Sequence, residues 1–210
     1  MAQELGRIEK PEVETFRKGR KIYMVPLIYL RENAPQEYID KFDLYWKEVV
    51  QQIENLEIKL GSPRYIFHES VSEAGEPGLK TIEKLNSSTF QIIKEKYIEF
   101  ACIEAMEDRD LLEETLDWQR CLLMGFMSAK ATEMVSKFYI ESSKKRYEHI
   151  GRKIDETLKQ DEVAIVFINE RNMVQFAGDI EVFRIAPPAL NEIYKWLRER
   201  QNVQENEKTT

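Results

Sequence analysis

The sequence is poor in the residues that build redox and metal centres. Of its 210 residues, two are cysteine and two are histidine. Cys102 and Cys121 are too few for a disulfide framework, which favours a reducing compartment. His68 and His149 are too few for a site with several histidine ligands within one chain. We therefore expect neither a metal centre nor a bound cofactor.

Sequence motifs of the common enzyme classes are missing as well. There is no Walker-type phosphate-binding loop and no GxGxxG after a strand. There is no GxSxG elbow and no CxxC, and no HExxH or ExxH pair is present. These absences exclude the enzyme classes whose chemistry depends on those motifs.

Long hydrophobic runs and an excess of positive charge are also absent. The longest apolar run, residues 22–30 (IYMVPLIYL), is far shorter than the ~20 residues that span a bilayer. The first ten residues hold no apolar stretch of the kind found in signal peptides. Lys and Arg total 31 against 38 for Asp and Glu, and the net charge of −7 repels phosphate backbones. We expect a cytoplasmic protein that binds neither membranes nor nucleic acid.

The remaining composition is that of a packed globular domain, with 42% hydrophobic and 33% charged residues. Three apolar runs predict strands, and their continuous apolarity favours a parallel sheet covered on both faces; they lie at 22–30, 64–71 and 162–168. Apolar residues at the helical period predict a helix from about Pro35 to about Leu60 and another after Pro188.

The order of these elements predicts an α/β fold with a small, mostly parallel sheet flanked by helices. Residues of about 79–159 read as almost entirely helical and predict a large insertion between strands two and three. We expect a single domain over 21–200, after a polar leader at 1–20 and before a flexible tail at 201–210. Short β-like pieces at 174–176 and 180–185 predict a fourth strand. The sequence does not decide whether this strand pairs in parallel or, as part of a hairpin, antiparallel.

Polar side chains follow each predicted strand at the point where it ends. Because parallel strands have their carboxyl ends at one edge of the sheet, these groups are expected to converge there. They are Arg31 after strand one, His68 and Glu69 at the end of strand two, and Glu170, Arg171 and Asn172 after strand three. The alternative is that they are solvated loop residues or an ion-pair network at the sheet edge.

A site at this edge would divide the chemistry among these groups. Glu69 would be a general base or cation ligand and His68 a proton carrier or orienting group. Arg31 and Arg171 would hold an anionic substrate group, because a guanidinium fork matches carboxylate or phosphate. Asn172 would orient the ligand, and Glu170 completes the ligand-binding set.

Two other charged segments are predicted to be solvated helix faces. The carboxylates between Glu104 and Asp117, Glu107 among them, form an acidic segment. Lys144, Lys145 and Arg146 form a basic segment whose side chains spread around the helix. Neither is expected to bind a ligand.

The element order resembles the TraB and ChaN group of α/β proteins, whose short parallel sheet is interrupted by a large helical insertion. In the TraB branch, GxxH motifs follow the first and a late strand, and a glutamate ends the second strand. Here the motif positions are 26–29 (PLIY) and 169–172 (NERN), and Glu69 in FHESV is the glutamate. Only Glu69 fits. The resemblance, over roughly 22–197, therefore implies a divergent member that has lost the usual metal ligands.

Two functions follow as hypotheses. The first is a non-catalytic scaffold or interaction protein, a homodimer that buries its aromatic-rich helical face. The alternative is a divergent TraB-like hydrolase, or a domain binding a small anion or metal, with its site at the strand carboxyl ends. The alternative requires that Arg31, Glu69, Glu170 and Arg171 line one concave pocket, whereas the scaffold hypothesis does not.

Overall fold

The computed structural model describes residues 18–30 and 33–208, with side chains up to Arg200. In chain order, its elements are β1 (Arg20–Pro26), α1 (Gln36–Leu60), β2 (Tyr65–His68), α2 (Gly75–Leu85), α3 (Ser87–Lys96), β3 (Cys102–Ile103), α4 (Arg109–Met124), α5 (Ala129–Thr157), β4 (Val163–Ile168), β5 (Ile180–Arg184) and α6 (Pro188–Lys208). Among these described residues, no helix is long and apolar enough to cross a bilayer.

The strands form one parallel sheet in the order β3-β2-β4-β1-β5. This confirms the predicted α/β class. β4 lies at the centre, and all six of its residues are buried, as its continuous apolar run indicates. Pro26 is the last residue of β1. Its missing N–H therefore lies at a strand end, where proline is tolerated.

Alternate residues of the central strands face two separate cores. Val163, Ile165 and Phe167 of β4 pack on one face, in a core that includes residues of α1, α2, α3 and α6. Ala164 and Val166 pack on the other face, against Ile150, Ile154 and Leu158 in and just after α5. The period of two along each strand thus produces three layers, with helices on both sides of the sheet.

The structure does not confirm one helical insertion between the second and third strands. The segment of about 79–159 contains β3, whose residues pair with Tyr65 and Ile66 at the edge of the sheet. Its helices are split into α2 and α3 before this strand and α4 and α5 after it. A strand of two residues is too short for a periodic pattern, so the sequence holds no signal for it. The third predicted strand is β4.

The prediction of a β-like piece at 174–176 needs correction, the pairing of the fourth strand was left open by the sequence, and the leader and tail stay predictions. Residues 174–176 form no strand, whereas Ile180–Arg184 is β5 and pairs with β1 in parallel, which excludes a hairpin. The helical backbone of α6 continues to Lys208, beyond the predicted start of the tail. β1 begins at Arg20, inside the predicted leader, and residues 1–17 of that leader lie outside the described residues.

α5 packs closely against the loop that precedes β5, so a larger residue at the contact should destabilise the protein. A Cβ added at Gly151 would lie 2.6 Å from the carbonyl oxygen of Gln175, a backbone atom that cannot swing away. We expect Gly151→Ala to lower the free energy of unfolding by ~1–2 kcal/mol, since overpacking outweighs the better helix propensity of alanine. Urea denaturation measures the change.

Gly178→Ala is the matched control, because nothing lies within 4 Å of a Cβ at that position. Its unfolding free energy should stay within ~0.5 kcal/mol of wild type. Equal stability of the two variants would contradict the packing of α5 on this loop.

Candidate functional site

The carboxyl ends of four strands meet at one edge of the sheet, at Pro26, His68, Ile168 and Arg184. β1 and β4 are neighbours there. The chain leaves β1 towards β2 through α1, which packs on one face. It leaves β4 in the opposite direction, towards β5, and passes over the other face. Connections that leave adjacent strands in opposite directions open a crevice between them, the usual ligand site of such sheets.

An ion triad lies buried beside this crevice and consists of Arg146, Glu69 and Glu107. The Arg146 Nε donates to Glu107 Oε2 at 2.8 Å, and Nη2 pairs with Glu107 Oε1. Nη2 also donates to Glu69 Oε1 at 3.1 Å. The Glu107 side chain has no exposed surface. Burial opposes the charge of the guanidinium, but the hydrogen bond to Glu107 and the two carboxylate charges outweigh it and raise the pKa of Arg146 above its ordinary value.

Two backbone N–H groups also donate hydrogen bonds to the carboxylates of the triad. Ser70 N donates to Glu107 Oε1 at 3.0 Å, and Asn169 N donates to Glu69 Oε2 at 2.7 Å. Both oxygens of Glu69 therefore accept hydrogen bonds. The triad joins α5 to the loops after β2 and β4 and, through Glu107, to the segment that leads into α4. Of the polar residues that the sequence places at the strand ends, Glu69 is the one that belongs to this triad.

The sequence misassigned two members of the triad. Glu107 and Arg146 were expected on solvated faces, but both are buried, whereas Lys144 and Lys145 are exposed. The position of Arg146 relative to the apolar residues of α5 could have indicated that it is buried. Ile150 and Ile154, also buried in α5, follow at intervals of four, so all three lie on the face that packs inward. A charged residue on the apolar face of a helix indicates that it pairs with a buried group of opposite charge.

His68 is enclosed at the end of β2, without exposed surface. Its Nδ1 lies 2.6 Å from the carbonyl oxygen of Glu69, which can only accept, so Nδ1 carries the proton. Among the described residues, no group hydrogen bonds to Nε2. Desolvation lowers the pKa of the imidazole to about 4, despite the opposing hydrogen bond to Glu69. The ring is therefore neutral at physiological pH and has no contact with solvent.

A cleft of about 900 Å³ opens over the carboxyl ends of β1 and β4, with α6 as its far wall. It brings together Glu170 and Arg171, two of the predicted ligand-binding residues. Its described lining consists of Leu27, Ile28, Tyr29, Tyr38, Asn169, Glu170, Arg171, Asn191, Ile193, Tyr194, Leu197 and Arg198.

Glu69, His68 and Asn172 are not part of the described lining of this cleft. Glu69 lies behind it and contacts it through the backbone of Asn169. The side chain of Asn172 is used within the loop, where Nδ2 donates to the carbonyl oxygen of Asn169 at 2.7 Å. Arg31 lies outside the described residues. Arg198, which the sequence did not mark, completes the cleft from α6.

Comparison with protein families, with curated proteins and with solved structures found no match. The resemblance to the TraB and ChaN group therefore stays a prediction. Within 18–30 and 33–208, no group of three His, Cys, Asp or Glu side chains is placed to hold a metal ion.

A second candidate surface is the helical arm, which we define as residues 109–141: α4, its turn and the first part of α5. Within α4, whose residues are all described, only Leu112 and Thr115 are buried. The buried residues of α5 all lie from Ser142 onward. The rings of Trp118 and Phe138 stack at 4.9 Å and hold the two helices together. The arm thus packs mainly on itself.

Large apolar side chains are exposed on the outer surface of the arm, among charged ones. Leu123 is 80% and Met124 84% exposed, and Met127 is fully exposed. The large apolar side chains exposed along the arm are Leu123, Met124, Phe126, Met127, Met134, Phe138 and Ile140. No other part of the described chain covers these side chains.

Removal of the Arg146 cation should strongly destabilise the protein. Arg146→Met leaves Glu69 and Glu107 buried without a counter-charge, and breaking a buried ion pair costs ~3–5 kcal/mol. Thermal and urea denaturation measure the loss. Lys145→Met, which removes an exposed cation from the next position, should change stability by less than ~0.5 kcal/mol. Similar effects of the two substitutions would show that the triad is not structural.

His68 should make the protein less stable in acid. Its folded pKa of about 4 lies below the unfolded value, so its contribution to stability is present above pH ~6.5 and is lost as pH falls towards 4. The loss between pH 7 and pH 4 is roughly 3 kcal/mol.

Urea denaturation of wild type and His68→Phe across this pH range tests the assignment. The stability of wild type relative to the variant should decrease as the pH falls. A difference that is constant with pH would mean that the imidazole is not buried as a neutral ring.

Proposed function

We propose that the protein is a non-catalytic scaffold or interaction protein that forms a homodimer through its helical arm. The observation that carries this proposal is the set of large apolar side chains exposed on the outer surface of the arm, which no other part of the described chain covers. The acidic composition and the two free cysteines support a cytoplasmic location.

Burial of the arm would release a substantial free energy. Full burial of one large apolar side chain contributes ~1.5–3 kcal/mol, and several such residues lie together here. Contiguous exposed apolar patches mark interaction sites, and methionine and aromatic residues are enriched in the centres of interfaces. The tip of the arm, with Met124, Phe126 and Met127, has this composition.

The distribution of charge favours a second copy of the same chain as the partner. α4 has an acidic excess, with four acidic and two basic residues: Asp110, Glu113, Glu114 and Asp117 against Arg109 and Arg120. α5 has the reverse balance over residues 129–145: Lys130 and Lys137 are offset by Glu133 and Glu141 within the arm, and Lys144 and Lys145 follow just beyond it. In a two-fold dimer, α4 of each copy can face α5 of the other, so both contacts are complementary.

The surroundings of Glu69 and His68, the two predicted catalytic residues, also support a non-catalytic role. A general base must lie within hydrogen-bond reach of the proton it abstracts. Glu69 is paired with the buried Arg146 and is not part of the described lining of the cleft. His68 has no exposed surface. We therefore expect neither group to act on a molecule in the cleft.

Polar substitutions at the tip of the arm should abolish self-association. We expect the wild type to sediment as a dimer at micromolar concentration and Leu123→Ser/Met127→Ser to sediment as a monomer, since the apolar contact is lost. Ile58→Ser is the control, because Ile58 is 72% exposed on α1, outside the arm. A monomeric wild type, or a dimeric arm variant, would refute the proposal.

A charge exchange tests whether α4 faces α5 of the partner. Glu113→Lys/Glu114→Lys gives a basic α4, and Lys130→Glu/Lys137→Glu gives an acidic first part of α5. Each variant alone should associate less than wild type, because its contact surfaces have charges of one sign. An equimolar mixture should form a heterodimer. A mixture that stays monomeric while wild type is dimeric would contradict this orientation.

A further inference from the structure

Two arginines line the cleft at the carboxyl edge, and no described residue gives either of them an acidic partner. Arg171 follows β4 and Arg198 projects from α6, and neither forms an ion pair with any described residue. The one lining carboxylate, Glu170, is paired with Arg184 and is thereby neutralised. The described lining therefore has a net positive charge in a protein whose overall charge is −7.

The loop that presents Arg171 is held in one conformation by its own hydrogen bonds. Asn169 Oδ1 accepts from Arg171 N at 2.8 Å, and Asn169 N donates to Glu69 Oε2 at 2.7 Å. The loop thus rests on the buried ion triad. Because these hydrogen bonds order the loop without a ligand, binding does not require the entropy loss of ordering the loop.

The remaining lining suits a ligand with an apolar or aromatic body. Leu27, Ile28 and Leu197 supply apolar wall, and Asn191 and Tyr194 supply polar groups beside the arginines. The volume of about 900 Å³ is in the range of small-molecule sites and far exceeds the size of an inorganic anion.

We propose that this cleft binds a small molecule in which a carboxylate or phosphate group is attached to an apolar or aromatic body. Arg171 and Arg198 hold the anionic group, since a guanidinium offers paired N–H donors to two oxygens of either anion. The body of the ligand lies against the apolar wall between the loop after β1 and α6. This binding is independent of the dimer, because the cleft and the helical arm share no residue.

Calorimetric titration of the full-length protein with phenyl phosphate and benzoate tests the proposal. We expect saturable binding of at least one of them by wild type, and the comparison identifies which anionic group is preferred. Arg171→Gln and Arg198→Gln should each weaken binding by about tenfold or more, the effect of losing a charged hydrogen bond. Arg152→Gln, an exposed arginine on α5, is the control and should bind like wild type.

Two further probes separate the contributions of charge and shape. Inorganic phosphate, which lacks the body, and benzyl alcohol, which lacks the charge, should both bind more weakly than the preferred aromatic anion. The proposal fails if wild type binds neither aromatic anion. It also fails if Arg171→Gln/Arg198→Gln, folded by its melting temperature, binds as tightly as wild type, or if benzyl alcohol binds equally well.

Discussion

The buried pairing of Arg146 with Glu69 and Glu107 is the interaction on which the carboxyl edge of the sheet depends. The three residues come from separate parts of the chain and share one arginine between two carboxylates. Desolvation of three charges is costly, and the triad is tolerated because the guanidinium and backbone N–H groups satisfy the carboxylate oxygens. Its role is to fix geometry, and Arg146 is the central member, because its loss would leave two buried carboxylates without a counter-charge.

α5 connects this triad to both proposed functions. Its first part belongs to the helical arm, its middle contributes Arg146, and its last turns pack Ile150 and Ile154 on the sheet. The base of the arm is therefore held by an ionic contact and by core packing. On the other side of the triad, Glu69 supports the loop that carries Arg171 to the cleft. The triad therefore lies between the proposed partner surface and the proposed ligand cleft.

The sequence was sufficient for the elements with a strong hydrophobic pattern, such as β4 and α1, and for the parallel arrangement of the sheet. It could not reveal β3, because two residues have no period. It placed polar groups correctly at the strand ends, but it could not show that Arg146 pairs with Glu69, 77 positions away, since such contacts arise only from tertiary packing. Nor could the helical period of the arm show whether its apolar face is covered within the chain or exposed.

Hydrogen exchange measured at several protein concentrations tests the central claim of arm-mediated association most directly. If copies of the chain associate through residues 109–141, amide protection in this arm should rise as the concentration passes through the dimerisation range. Protection in the central strand β4 should stay constant, because the core does not change. If the amide exchange rates in the arm were the same at every protein concentration, association through the arm would be contradicted.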